Sequence, residues 1–339
     1  LSTSTLFYAT TSYHLLIAIN IAHRQNIDNA KLIFRPLSRN HEDFLLKSEE
    51  VFSDYFDNIY IESVPNQEHL ITRSKRKIAE ANTTSAAYVN KINPAYVYTF
   101  KDQDHFIQGI LCKADTKRNY YVEDGLVAYD SFTFSKENTV KKAIKRVLFG
   151  GHYEDIQVYG TSKWIDYCLL THPTHCRSEI RDKAKSIPNQ LPNVINSKAE
   201  KWNNVIDTLD VLRDINVLVL VRHSESVKDK PRYLDTIKRI CSSHKNYRVG
   251  LKYHPRENRK YVRGIDNGTI EIISSIPTEI IFVLSDSIMT VYGERSTALK
   301  SAKWIDRSIE VNSLLKRTDI CQNLARLFDD LGINFVSEV

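Results

Sequence analysis

Short β-prone runs alternate with amphipathic stretches along almost the whole chain, and this alternation restricts the fold more than any other feature. Strands fed by helices in such an order form parallel sheets covered on both faces. Residues 6–10 read as a first strand, and residues 12–22 as the helix it feeds, with Thr11 or Ser12 as the N-cap. Further strands are predicted at 31–34, 58–62, 95–100, 120–122 and 156–159, separated by helix-like segments. The polar, proline-marked stretch 187–193 suits a linker. After a helix over 198–213, the run 216–221 restarts the pattern as a buried parallel strand, continued by 248–253, 270–273 and 288–292. A chain of 339 residues exceeds what one hydrophobic core usually serves. Two α/β domains are therefore expected, residues 1–190 and 191–339. The absence of a fixed-period repeat argues against a solenoid.

Hydrophobic residues at 42% and charged residues at 26% place the chain among folded, water-soluble proteins. No run approaches the length of about 18 apolar residues that a membrane helix requires, and the start lacks the order of a secretory signal, so a cytoplasmic location is expected. Cys112, Cys168, Cys176, Cys241 and Cys321 are widely spaced and include no Cys-x-x-Cys pair, which suits free thiols in a reducing compartment. His172, His175 and Cys176 lie close together, but zinc needs four supported ligands, and no metal site is expected. The net charge of +6 is concentrated at Arg73-Ser74-Lys75-Arg76-Lys77, at Lys141, Lys142, Lys145 and Arg146, and at Arg256, Arg259 and Lys260. Each cluster alone reads as a solvated helix face. Three together suggest an anionic partner, and nucleic acid is the weaker choice because no recognised binding module is present.

Three segments could carry chemistry. Glu123-Asp124-Gly125 ends a β-prone run, which puts two carboxylates at the carboxyl edge of a sheet, where open α/β folds bind ligands. Asp-Gly is also a common turn dipeptide and needs no function to explain it. Lys252-Tyr253-His254-Pro255 puts a histidine at a strand end, where it is either structural or, held near a phosphate, protonated at neutral pH and able to act as an acid. Pro277, in the first turn of a helix, precedes Glu279, which either caps that helix or accepts hydrogen bonds from a ribose. Glu294-Arg295-Ser296-Thr297 opens another helix, as a plain N-cap or as an anion site built from backbone N–H groups and two hydroxyls. Arg222-His223-Ser224-Glu225-Ser226 looks like the Arg-His-Gly-Glu-Ser signature of histidine phosphatases and mutases, with Ser224 in place of the glycine and the segment in mid-chain. His172-Pro173 has no β-run leading into it and is assigned no catalytic part.

Acid-acid-Gly, then His-Pro, then Ser-Thr, in that order across two α/β domains, resembles the bacterial sialyltransferases of GT-B architecture, and within them the capsule polysialyltransferases. The resemblance implies two Rossmann-like domains with an interdomain cleft. It implies an inverting, metal-independent transfer of sialic acid from CMP-sialic acid to a sialylated acceptor, elongating polysialic acid. By motif, Glu123 would be the general base, with Asp124 in reserve. His254 would stabilise or protonate the departing phosphate, Ser296 and Thr297 would hold it, Glu279 would bind the ribose, and Pro255 and Pro277 would belong to the same donor site. Residues 1–190 would form the acceptor side and residues 191–339 the donor side. Arg73, Lys75, Arg76 and Lys77 would suit an acceptor with a carboxylate on every residue. The enzyme would work in the cytoplasm, peripheral to the inner membrane beside capsule assembly proteins. Related enzymes that modify lipooligosaccharide share similar motifs, and a phosphatase using His223 is the rival from another class. A non-enzymatic groove binding anionic polymer is the third reading.

Overall fold

A computed structural model describes residues 3–62, 70–206, 209–257, 260–262, 265, 269–272 and 274–336. The chain divides into two compact units, the first made of residues 1–37 and 52–188, the second of residues 38–51 and 189–339. Arg259 and the last residue of the predicted strand 270–273 lie outside the described residues.

Among the described residues the first unit carries a parallel sheet of seven strands. These are β1 (Thr5–Ala9), β2 (Ala30–Phe34), β3 (Asn58–Ile61), β4 (Tyr96–Thr99), β5 (Arg118–Val122), β6 (Tyr167–Leu170) and β7 (Ala184–Ser186), in the order β3-β2-β1-β4-β5-β6-β7. All five residues of β1 are buried, as expected of a strand covered on both faces. Thr11 accepts a hydrogen bond from the His14 N–H and so caps the helix Ser12–Gln25, which buries Leu15, Leu16, Ile17 and Ile19. The helix ends at Asn26, in the left-handed region at φ 49°.

The second unit repeats the plan with β8 (Val217–Val221), β9 (Val249–Tyr253), β10 (Thr269–Ile272), β11 (Thr290–Gly293), β12 (Glu310–Ser313) and β13 (Ile333–Phe335), all parallel, in the order β10-β9-β8-β11-β12-β13. Val217, Val219 and Val221 pack with Ile237, Ile240 and Leu251 in one core. Residues 38–51 group with this unit because Phe44 stacks on the fully buried Trp202, with ring centroids 6.1 Å apart. A single division near residue 190 does not capture that excursion. Each unit has a Rossmann-like α/β winding.

Four local expectations change. Residues 156–159 form no strand: Ile156 and Tyr159 are buried, but the backbone turns at Gly160, φ 83°, and Tyr159 packs on Phe134 and Tyr121 instead of entering the ladder. The strand lies at β6, and it leads directly into His172-Pro173. The stretch 187–193 is not all linker, since the helix Leu191–Asn196 starts within it. The helix expected over 198–213 is two, Ala199–Val205 and Leu209–Arg213.

Candidate functional site

In the first unit β1 has β2 on one side and β4 on the other, so the winding reverses between β1 and β4 and opens a crevice at their carboxyl ends. The loops that follow β1, β4, β5 and β6 bring Thr10, Lys101, Glu123, Asp124 and Thr171 to this edge, and the first turn of the helix Ser12–Gln25 brings His14. Gly125 follows the acid pair at φ 59°. Only glycine takes that conformation at little cost, so Gly125→Ala should lower stability by about 1–2 kcal/mol, read as a reduced urea midpoint.

The two acids of the pair have opposite environments. Glu123 is fully buried. Its Oε1 accepts from the Tyr13 hydroxyl at 2.6 Å, and its Oε2 from the Tyr129 hydroxyl and from the Thr171 N–H at 2.8 Å, with the Thr171 hydroxyl within 3.1 Å of both oxygens. Such a carboxylate ties β1's helix, β5 and β6 together. Truncating it strands several buried donors, and Glu123→Ala should destabilise the unit by about 3 kcal/mol or more, measured by chemical denaturation.

Asp124 is different: 23% of its side chain is exposed. Its Oδ1 lies 2.8 Å from His14 Nε2, and its Oδ2 lies 3.9 Å from Lys101 Nζ. His14 is fully buried and stacked on Phe100 at 4.2 Å. The Thr10 N–H donates to His14 Nδ1 at 3.2 Å, so Nε2 carries the proton and donates it to Asp124. Burial lowers the His14 pKa despite the carboxylate beside it, which fits a neutral imidazole. Burial pushes Asp124 upward, but His14 and Lys101 more than offset it and hold the carboxyl below its usual range. The result is an ionised, partly open carboxylate aimed by a neutral histidine.

In the second unit the winding reverses between β8 and β11. His254 follows β9, His223 follows β8, and their rings are 5.9 Å apart. The Arg256 N–H donates to His254 Nδ1 at 3.1 Å, which leaves the proton on Nε2. Burial first, then the positive charge of Arg256, lowers the His254 pKa to about 4. In the free protein the imidazole is therefore neutral at pH 7; the protonated form is the one expected for an imidazole held near a phosphate. The folded pKa lies below the ordinary value of about 6.5, so between those two values the unfolded chain binds a proton that the folded chain excludes. Stability should fall as pH drops from about 6.5 toward 4, and His254→Gln should shallow that slope in urea titrations.

The His-Pro loop is held by a residue that sequence reasoning missed. Asn40 Nδ2 donates to the Pro255 carbonyl at 2.6 Å and to the Ser274 hydroxyl at 3.0 Å. Nothing local in the sequence marks it. Lys252 is buried, donates to the Ser274 carbonyl at 2.9 Å, and has its pKa lowered to about 7 by burial. Glu279 is only 4% exposed and lies in the field of Lys300 and Lys252, with burial raising its pKa. It serves the interior of the unit, and Pro277 is the N-cap residue of its helix, Thr278–Leu284. Ser296 caps the helix Thr297–Ile305 by accepting from the Ala298 N–H at 3.3 Å, and Ser296 and Thr297 are both half-buried. A cavity of about 290 Å³, lined in part by Arg222, Lys228, Arg232, Tyr233, Glu294 and Lys316, lies at the same strand ends without including His254, Ser296 or Thr297. Arg222 is ion-paired with Glu294.

Of the basic run on the helix Leu70–Ala79, Arg73 and Lys75 are exposed, Arg76 pairs with Glu80, and Lys77 is partly buried, with its pKa lowered by burial and by Arg73. Among the described residues no group of three or more His, Cys, Asp or Glu side chains is placed to hold a metal ion, and no helix is long and apolar enough to cross a membrane. None of the five cysteines forms a disulfide among the described residues.

No protein-family model matches the chain, and no curated protein matches it in sequence. Solved structures do match. The α/β-galactoside α-2,3-sialyltransferase of the luminous marine bacterium Photobacterium phosphoreum is 13% identical, with 99% of each chain covered and a TM-score of 0.57. A UDP-GlcNAc 2-epimerase from Methanocaldococcus jannaschii, solved with UDP-GlcNAc and UDP, is 13% identical over 98% of this chain and 88% of that one, at TM-score 0.57. The UDP-GlcNAc 2-epimerase of Neisseria meningitidis is 12% identical over 89% and 80%, at 0.56. At these identities the likeness shows the fold, two Rossmann-like units of GT-B type.

Proposed function

We propose that this chain is an inverting sialyltransferase that transfers sialic acid from CMP-sialic acid to a sialylated acceptor and so elongates polysialic acid. The observation that carries the reading is the Asp124–His14 pair: a partly open, ionised carboxylate, oriented by a buried neutral imidazole, at the carboxyl edge of a GT-B sheet. The full-length likeness to a bacterial sialyltransferase supports the donor class.

In this scheme Asp124 takes the proton of the acceptor hydroxyl as its oxygen attacks the anomeric carbon. The bond from that carbon to the phosphate oxygen breaks, and its electrons leave with CMP. One displacement from the opposite face inverts the centre. His254 donates its Nε2–H to the departing phosphate, and a bound phosphate raises the imidazole pKa toward protonation. Ser296, Thr297 and the first N–H groups of their helix hold the phosphate. Glu123 keeps the carboxylate-bearing turn in place. Arg73 and Lys75 are the exposed cations of the run suited to a polyanionic acceptor.

The test is release of CMP from CMP-sialic acid with sialyl acceptors of several lengths, set beside lactose-terminated lipooligosaccharide and beside UDP-GlcNAc. Transfer to the sialyl acceptors is expected. Transfer to lipooligosaccharide alone would change the acceptor, and epimerisation of UDP-GlcNAc without CMP release would overturn the reading.

A further inference from the structure

The helix Thr139–Phe149 buries none of its residues. Its exposure is inverted relative to an ordinary surface helix: Val140 is 68% exposed, Ile144 53%, Val147 84% and Leu148 42%, while Lys142 and Lys145 are partly buried. At about 100° per residue, Val140, Ala143, Ile144, Val147 and Leu148 share one arc of the helix. Lys141 borders that arc on one side and Arg146 on the other. Water gives no reason to turn an apolar stripe outward, and isolated apolar residues on a surface are common whereas a contiguous helical stripe is not.

The charge says what covers the stripe. Residues 136–149 carry Lys136, Lys141, Lys142, Lys145 and Arg146 against a single acid, Glu137, which pairs with Lys141 and Lys145. Half-exposed Phe132 stands in the loop that leads to the helix. An apolar arc bordered by basic side chains on both sides suits a helix lying in the headgroup region of an anionic bilayer. The helix is held to the body away from the stripe: Lys145 donates to the hydroxyl of buried Tyr153 at 3.1 Å, the Leu148 carbonyl accepts from Asn82, and Phe149 stacks on His105 at 5.0 Å. That arrangement leaves the stripe outward.

We infer that the helix Thr139–Phe149 docks the protein on an anionic membrane surface, its apolar arc entering the lipid and the bordering Lys141 and Arg146 meeting the headgroups. This holds whatever reaction the chain catalyses.

The experiment is sedimentation of the full chain with vesicles of phosphatidylcholine alone or with about a third phosphatidylglycerol, a composition in which each basic residue near the surface strengthens binding about fivefold. Binding to the anionic vesicles is expected, weakened in high salt. Ile144→Glu combined with Val147→Glu should reduce it more than about tenfold, and Lys141→Ala combined with Arg146→Ala about 25-fold. These side chains are largely exposed, and an unchanged thermal transition in both variants checks the fold. Equal partition of the wild type into both vesicle types, or undiminished binding of Ile144→Glu/Val147→Glu, would overturn the inference. So would a wild-type dimer that ignores vesicles and falls to monomer in that variant, because the stripe would then belong to a second copy of the chain.

Discussion

Asp124→Asn is expected to lower kcat for sialyl transfer by about a thousandfold while the protein remains folded. A positioned general base contributes on the order of 10² to 10⁴, and the amide removes basicity while keeping shape. The fold survives because the contact that aims Asp124 runs from His14 Nε2–H to Oδ1, and an asparagine carbonyl accepts the same hydrogen bond at the same place. The contrast with Glu123→Gln isolates the claim. Glutamine at 123 turns one of the two acceptors into an N–H₂ donor, facing either the Tyr13 hydroxyl at Oε1 or the Tyr129 hydroxyl and Thr171 N–H at Oε2. The hydroxyls can turn; the backbone N–H cannot. Its expected effect is lost stability, with the folded fraction still active.

The second large effect is expected at His254. His254→Ala should lower kcat by about a hundredfold to a thousandfold, the range for removing one preorganised donor from a developing oxyanion. Because the imidazole of the free protein is neutral at pH 7, its part begins as that of a hydrogen-bond donor. The loss should shrink for a donor whose nucleotide leaving group needs less stabilisation, a readout that a purely structural histidine would not give. Asn40→Ala, which releases the Pro255 carbonyl and Ser274 hydroxyl, should reproduce part of the same loss without touching His254 itself.

The alternation of apolar runs and amphipathic stretches made the plan of two α/β units legible, because buried parallel strands such as Val217–Val221 are near-continuous hydrophobic runs with β-branched residues. Tyr167–Leu170 was missed because Tyr-Cys-Leu-Leu lacks that signature, while Ile156 and Tyr159 suggested a strand and are in fact packed beneath a turn. The acid pair was visible, but the separation of its members was not. It arises from the tertiary placement of Tyr13, Tyr129 and Thr171 around one carboxylate and of His14 beside the other. His14 had a signal of its own, a histidine in the first βα turn; Asn40 and Thr171 had none. The inverted stripe of residues 140–148 was legible only as a cluster of lysines, since amphipathicity does not say which face looks outward.

The most direct test compares CMP release from CMP-sialic acid, with a sialyl acceptor, by the wild type, Asp124→Asn and Glu123→Gln, each normalised to its folded fraction. Acceptor-dependent release by the wild type, near-total loss in Asp124→Asn and near-normal release per folded molecule in Glu123→Gln are the expected results. Folded but inactive Glu123→Gln beside an active Asp124→Asn would contradict the assignment of the base, and a wild type that releases no CMP would contradict the function.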